Sequence, residues 1–523
     1  MTYDLFDAIG NLVGLRVDPT GAALFANGQQ IASPGSIAVI AQSFTGSALT
    51  AIGNNWANNG PNTPLYNVGA ITPACGDGTP LKTPVAGVIG TPGPCFAVGV
   101  DRNLRSPYVT NWTLDVQRAL TNNLSLDVGY VGNHGTKMIG LSEINQPPVG
   151  AGWTPAAIAT CLNPAALYKS CAPDSAAIQA ARPYSSRFPY LNYIDWISGG
   201  FNSNYNGLQV TATQRTSHGL SFTTGYTYSH ALDMASDNWG NGLLIPSNAY
   251  GSARQQLYAS SVFDIRHRFT LSVTYALPGI KTPGHILEGW SINSVATLQT
   301  GTPWRLADQT TDFSGTGEIT EPSAGNAQGE QWNFYGNADD FKSIHGLTAG
   351  ALGPNNLNPQ GGIPYFAPTN NPASPTNNAA CNAKARALDG GAATGLAQAA
   401  LSNLGCYAVN SSVLIPPAYG TLGTLGRNPW RDTGFKNWDV SVTKVFKFKE
   451  RLRTQFRAEF FNILNHPNFA NPYGGPGGPT ASLDPSTGPP FGYPSATPDA
   501  ASSNPVLGQG GSRAMQLGLK LIF

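Results

Sequence analysis

A transmembrane antiparallel β-barrel with long extracellular loops, hence an all-β chain, is the fold class the sequence predicts. Three observations predict it. Apolar and polar residues alternate along a series of short segments; tight turns and very long connections follow each other in regular succession; and charge is scarce although no apolar run approaches the length of a membrane-spanning helix, about 20 residues. Charged residues make up 11% of the 523, against about 25% in ordinary soluble domains. The 61 glycines and 41 prolines suit turns and loops better than packed helices. Net charge is +1, so nothing favours a nucleic-acid partner.

Successive strand side chains point to opposite faces, and this sorts each segment in turn. "NWTLDVQRAL" sets Trp112, Leu114 and Val116 against Thr113, Asp115 and Gln117, and "LSLDVGYVG" repeats the pattern through Leu124, Leu126, Val128 and Tyr130 after a short Thr/Asn turn. "GLQVTATQRT" and "GLSFTTGYTYSH" form a second tight pair around Ser217, His218 and Gly219. "HRFTLSVTYALP" and "GWSINSVATLQTG" are joined by a Pro/Gly turn, and "NWDVSVTKVFKF" and "RLRTQFRAEFFNIL" meet at Lys449 and Glu450. The last segment, "RAMQLGLKLIF", places Met515, Leu517, Leu519, Leu521 and Phe523 on one face and Gln516, Gly518 and Lys520 on the other, with Ile522 as the exception. With "SIAVIAQSF" as a further candidate, about ten strands are readable.

Long irregular stretches separate the pairs, at 133–205, 231–265, 301–435 and 465–511. Compact soluble domains rarely hold structureless loops beyond about 15 residues, whereas outer-membrane barrels combine short periplasmic turns with long external loops. A soluble sandwich or propeller would leave those loops and the low charge unexplained. If the tight turns are periplasmic, the closing strand runs inward and Phe523 lies at the periplasmic face. Barrel closure would then pair both edges of that strand and lipid would cover its apolar face. Trp112, Trp290, Trp438 and Phe523 suit interfacial girdles. Lys444 is out of place, since alternation puts it on the lipid face with Trp438 and Val442; a nearby turn or a bulge would relieve it. Arg453, Arg457 and Glu459 face the lumen, where Asp439 can join them.

The six cysteines fall into three local couples, Cys75 with Cys95, Cys161 with Cys171 and Cys381 with Cys406. None has metal or redox spacing, and short loops close at lower entropic cost, so sequential disulfides in an oxidising compartment are expected, with six free loop thiols as the alternative. The opening "MTYDLFDAIGNLVGLRV" has no basic segment of secretory type.

Several strings taken together, "NYNGLQVTATQR", "YTYSHALD", "FDIRHRFTLSVTYALPG", "GWSINSVATLQTGTPW", "GTLGRNPW" and "RAEFFNILNHPNF", resemble the C-terminal barrel of TonB-dependent outer-membrane receptors, particularly Oar-like members of acidobacterial type. The resemblance covers about residues 105–523, read as the barrel region, while 1–104 is a loop-rich segment with no recognisable plug. It implies residence in the cell outer membrane, a 22-stranded barrel around a plug, and TonB-energised uptake of a bulky ligand such as a siderophore or saccharide. The partners it implies are outer-membrane lipid, the TonB complex, an extracellular ligand, and the barrel assembly machinery, which would read Leu517, Leu519, Leu521 and Phe523 as an assembly signal. About ten strands match the C-terminal part of such a barrel, so a fragment of a transporter is expected. The alternative is a self-contained small channel or adhesin.

Polar residues concentrate in "SHALDMASD" and "FDIRHRF", both at outer strand ends, so His230, Asp233, Asp264, Arg266 and His267 are candidates for an anion or metal site at the barrel mouth. A network of ion pairs fixing the loop 231–265 is the stronger reading. Arg427 and Arg431 beside Trp430 suit sugar or carboxylate recognition, or equally the entry of a loop into the wall. No nucleophile motif, phosphate loop or H-E-x-x-H string appears. No enzyme and no cofactor is expected.

Overall fold

The computed structural model describes chiefly residues 95–234, 258–317, 329–341, 363–431, 434–466 and 511–523, with short breaks inside these ranges, positions 484–487 and 491, and a few short strands of backbone before 95. Nine long strands form one continuous antiparallel sheet in chain order: β1 (Tyr108–Ala119), β2 (Leu124–Glu143), β3 (Leu191–Ser217), β4 (Leu220–Asp233), β5 (His267–Ala276), β6 (Trp290–Gln299), β7 (Phe435–Lys449), β8 (Leu452–Phe461) and β9 (Ala514–Ile522). Each sequential pair is joined as alternation predicts. The β3–β4 turn has His218 at φ 51° and Gly219 at φ 82°, the left-handed pair that matches hairpin twist.

Register carries the apolar face across the whole sheet. One row runs Leu114, Tyr130, Leu208, Tyr228; another runs Tyr275, Ile292, Val442, Ala458, Leu517. Leu114, Leu517, Leu519 and Leu521 are all highly exposed, which in water would invite aggregation and in a bilayer is the lipid contact. The opposite face carries Asp115, Gln209, Thr211, Thr274, Asn293, Ser441 and Glu459. The Trp112 indole lies across Gly132, where a β-carbon would sit 2.3 Å from the ring, so glycine is what lets the outer aromatic lie flat against the wall.

Four expectations need correction. The candidate strand in "SIAVIAQSF" forms Ser36–Ile40 but belongs to a separate small sheet, paired with Leu12–Val17. The barrel sheet therefore has nine described long strands rather than ten. It is also not closed among the described residues: β1 pairs only with β2 and β9 only with β8, so the last strand keeps one free edge. The first long connection shrinks to 144–190, because β2 and β3 stay paired up to Glu143 and Asp195. Alternation reports lipid on one face, not ladder hydrogen bonds, and it vanishes where both faces meet water.

The external connections are not structureless either. Helices α1 (Pro155–Cys161) and α2 (Ser175–Ala181) fill the first, and α3 (Ala379–Leu388), α4 (Leu396–Leu404) and a four-stranded sheet fill the third. That sheet orders Asn333–Tyr335, Ser412–Ile415, Cys406–Val409 and Tyr365–Phe366. Thr154, Asp174 and Asn378 cap α1, α2 and α3 through side-chain oxygens. Trp153, Trp304, Phe313, Trp332, Tyr407 and Trp430 meet in a shared buried core drawn from both connections. The result is a folded cap. Disulfides Cys161–Cys171 and Cys381–Cys406 lie within it; Cys75 lies outside the described residues.

Lys444 does sit on the outward face, beside Trp290 and Phe456. Its relief comes from the β5–β6 turn, whose Ile286 and Glu288 carbonyls accept from Nζ. Asp439 faces the lumen but bonds Asn437 and the Asn462 N–H rather than an arginine, while Arg457 meets Glu459 at 3.4 Å.

Candidate functional site

The cap joins the barrel at the outer ends of β4 and β5, and the joint is built on two buried carboxylates. Asp264, 1% exposed, accepts from Arg266 Nε at 3.0 Å, from the Ala231 N–H at 2.7 Å and from Arg431 Nη2. Arg431 Nη1 also donates to the carbonyls of Asp264 and Gly301, at 3.1 and 3.2 Å. Asp233 accepts from Arg427 Nη2 through both its carboxylate and its carbonyl, and from Ser236 Oγ at 2.9 Å. Arg427 Nη1 reaches Ser236 Oγ at 3.1 Å.

"GRNPWR" thus works as a strap. Asn428 takes φ 54°, a conformation Asn tolerates better than most residues, and its amide donates to the Ser260 carbonyl at 2.8 Å. Arg427 and Arg431 point to the rim, while Trp430 between them is buried against Trp304, Phe341 and Phe334 at ring separations of 4.8, 5.4 and 5.6 Å. Trp304 and Trp430 also pair in a two-residue ladder that brings the start and end of the third connection together.

Seven of the eight candidate residues gather here. His230 Nε2 lies 2.8 Å from Arg266 Nη2 and 4.0 Å from Asp264. His267 stands apart: its Nδ1 meets the Tyr226 hydroxyl at 2.8 Å and its ring packs on Tyr228 at 5.0 Å, on the lipid-facing side at the outer girdle. Trp430 offers no face to a ligand, since the cap core covers it. Both arginines are directed at carboxylates, Arg427 at Asp233 and Arg431 at Asp264, so the residues are joined by ion pairs across the rim. Among the described residues no group of three or more His, Cys, Asp or Glu is placed to hold a metal ion.

Sequence reading missed a second acidic set inside the cap. Asp308 accepts from Trp332 Nε1 at 2.9 Å and from the Thr310 and Thr311 N–H groups at 3.0 and 2.9 Å. Burial, with Asp484 nearby, pushes its carboxyl up to about 6. Glu330 accepts from Ser314 Oγ at 2.6 Å, and burial beside Asp312 raises it well above the carboxylate range. No local spacing marks these residues, which meet only through the antiparallel bridge between Asp308 and Glu330.

The model of one family, described as an outer membrane beta-barrel domain, matches residues 35–516. The chain belongs to the outer-membrane β-barrel domain family. This barrel chain therefore resides in the cell outer membrane, with its apolar sheet face toward lipid. A search of curated proteins finds no match. Among solved structures, the outer-membrane transporter YddB of Escherichia coli aligns with a TM-score of 0.33 at 9% identity, over 82% of this chain and 34% of YddB. The pyoverdine receptor FpvA of Pseudomonas aeruginosa PAO1 aligns with a TM-score of 0.28 at 9% identity, over 80% and 30%. The copper transporter OprC aligns at 0.25 and 7% identity, over 80% and 32%. The barrel chain spans about a third of the length of each of these proteins.

Proposed function

We propose that this chain is the C-terminal part of the barrel of a TonB-dependent receptor of Oar-like type, in which residues 105–523 form barrel wall and external loops and the parent imports a bulky ligand such as a siderophore or saccharide. The observation that supports it most is the sheet, which is unfinished among the described residues. Nine strands are an odd number, so β1 and β9 run in the same direction and cannot close on each other antiparallel. Antiparallel closure needs an odd number of additional strands between those two edges, and unsatisfied backbone groups are not tolerated in lipid. A wide barrel completed in this way has room for a plug, and the plug would supply the contact to TonB. The folded cap fits a receptor better than a diffusion channel, because it places a stable, disulfide-held surface over the outer mouth. On this reading the protein carries out no catalytic step and has no cofactor, and Leu517, Leu519, Leu521 and Phe523 present the assembly signal to the barrel assembly machinery. Among the described residues the two edges have no partner, and this supports the receptor reading over a self-contained small channel or adhesin. The test is conductance of the purified full-length parent in a planar bilayer. A plugged transporter gives no steady ion current without denaturant; steady open-pore current overturns the reading.

A further inference from the structure

The β5–β6 turn, residues 277–289, is not a minimal hairpin connection, and it does not hang straight into the periplasm. Leu277 N–H still bonds the Trp290 carbonyl at 2.9 Å, and Gly289 continues the ladder by accepting from the Val445 N–H at 2.9 Å. The described part of the turn at Ile286–Glu288 lies over the outward face of β7. Two contacts place it there: the Ile286 carbonyl accepts from Trp290 Nε1 at 2.8 Å and from Lys444 Nζ at 3.1 Å. Both donors belong to the lipid-facing side, in the row Trp290, Lys444, Phe456, Leu519. The two arms of the turn close tightly, since a β-carbon on Gly279 would lie 2.6 Å from Glu288 Cα.

The folded turn solves one problem and exposes another. The ammonium of Lys444 lies over the Trp290 and Phe446 rings at 5.3 and 4.7 Å with carbonyls as acceptors, so a cation on the lipid side is neutralised by dipoles and becomes 2% exposed. In return, Ile280, Ile286 and Leu287 are left 70, 60 and 54% exposed. Three exposed large aliphatic residues on one short turn are unusual for a water-facing surface. Here they continue the lipid-contacting band at the level where Trp290 marks the inner interface.

The geometry points to a membrane foot: Ile280, Ile286 and Leu287 seat in the periplasmic leaflet of the outer membrane, among phospholipid chains at the headgroup boundary. The occupant of this surface is lipid, because the patch is continuous with the lipid face of the wall and the Ile286 and Glu288 carbonyls are directed inward, to Lys444 and Trp290, while the Leu287 N–H is satisfied by the Thr282 hydroxyl. Seated in this way, the foot shields the buried ammonium from hydrocarbon and fixes the depth of this side of the barrel. This inference rests on the outer-membrane placement of the chain and not on the proposed transport.

The test uses outer membranes isolated from cells expressing the full-length protein. Leu287→Cys and, separately, Ile280→Cys carry a bimane fluorophore, with labelled unsubstituted protein subtracted as background and heat-modifiable gel mobility reporting folding. Leu519→Cys serves as the lipid-facing reference and Gln455→Cys as the lumen-facing one. The expected result is quenching of the two turn positions by doxyl-labelled phospholipid comparable to Leu519→Cys and severalfold above Gln455→Cys, with little quenching by aqueous iodide. Iodide quenching with doxyl quenching no higher than at Gln455→Cys would show the turn in periplasmic water and overturn the foot. Photo-cross-linking from position 287 to a protein instead of lipid would overturn it as well, assigning the patch to a periplasmic partner.

Discussion

Leu519 and Gln516 are three positions apart on β9 and sit on opposite faces, so they separate the two environments of the wall within one strand. Leu519→Arg places a guanidinium in hydrocarbon, at a cost of about 2 to 4 kcal/mol near the bilayer midplane; Gln516→Arg adds the same charge to a polar surface beside Glu459. The first change is expected to reduce heat-modifiable, folded protein in cells expressing the full-length parent, and the second to leave it close to normal. Equal tolerance would overturn the assignment of faces. At the rim, Asp264→Ala would remove a carboxylate that is 1% exposed from between Arg266 and Arg431, whose side chains are 31 and 26% exposed. Because the two arginines keep contact with water, the loss should fall below the roughly 3 to 5 kcal/mol of a fully buried pair. Protease sensitivity of the 258–266 and 427–431 segments in intact cells should rise sharply, while the barrel keeps its gel mobility.

The cap and the wall are separate elements with different sources of stability, and the two described disulfides belong to the cap. Cys381–Cys406 ties α3 to the small sheet and closes a loop of sequence separation 25, and Cys161–Cys171 closes one of 10. Loops of this size contribute roughly 3 kcal/mol each in a chain-entropy account. Replacing both Cys381 and Cys406 with Ala should therefore speed external proteolysis between 363 and 431 without impairing insertion of the strands. Loss of the whole barrel from the membrane in this variant would mean that the cap is needed for assembly. The pairing of Cys161 with Cys171 was legible from sequence because the two lie close in the chain. The partnership of Arg431 with Asp264 was not, since 167 residues separate them.

Across the molecule, burial of acids inside the cap makes its stability depend on pH. The folded state holds Asp308 near 6 against an ordinary 3.8, so the protonated form is the one favoured by folding. Its contribution is fully present below the ordinary value and is lost as pH rises through about 6, with a total near 3 kcal/mol and about 1 kcal/mol of that between pH 5 and 8. Glu330, raised by burial and by Asp312, acts in the same direction. Hydrogen exchange over 306–341 is expected to be slower, once corrected for intrinsic rates, at pH 5 than at pH 8. Equal exchange would show that both carboxyls ionise without penalty, and the opposite order that the folded cap favours their ionised forms.

The strands of the wall could be read from the chain because each of their residues meets either lipid or a polar lumen, and a two-valued environment writes a two-residue period into the sequence. Leu114, Val442 and Leu519 were placed on the apolar face by alternation alone, and register joined them to their neighbours in one band. The cap leaves no such period. Trp153, Trp332 and Trp430 are brought together from two different connections, and a core assembled from distant loops has no repeating geometry to impress on local text. Lys444 shows the same division at a single position: alternation set it on the lipid side, but only the folded β5–β6 turn supplied the carbonyls that make a buried ammonium tolerable there.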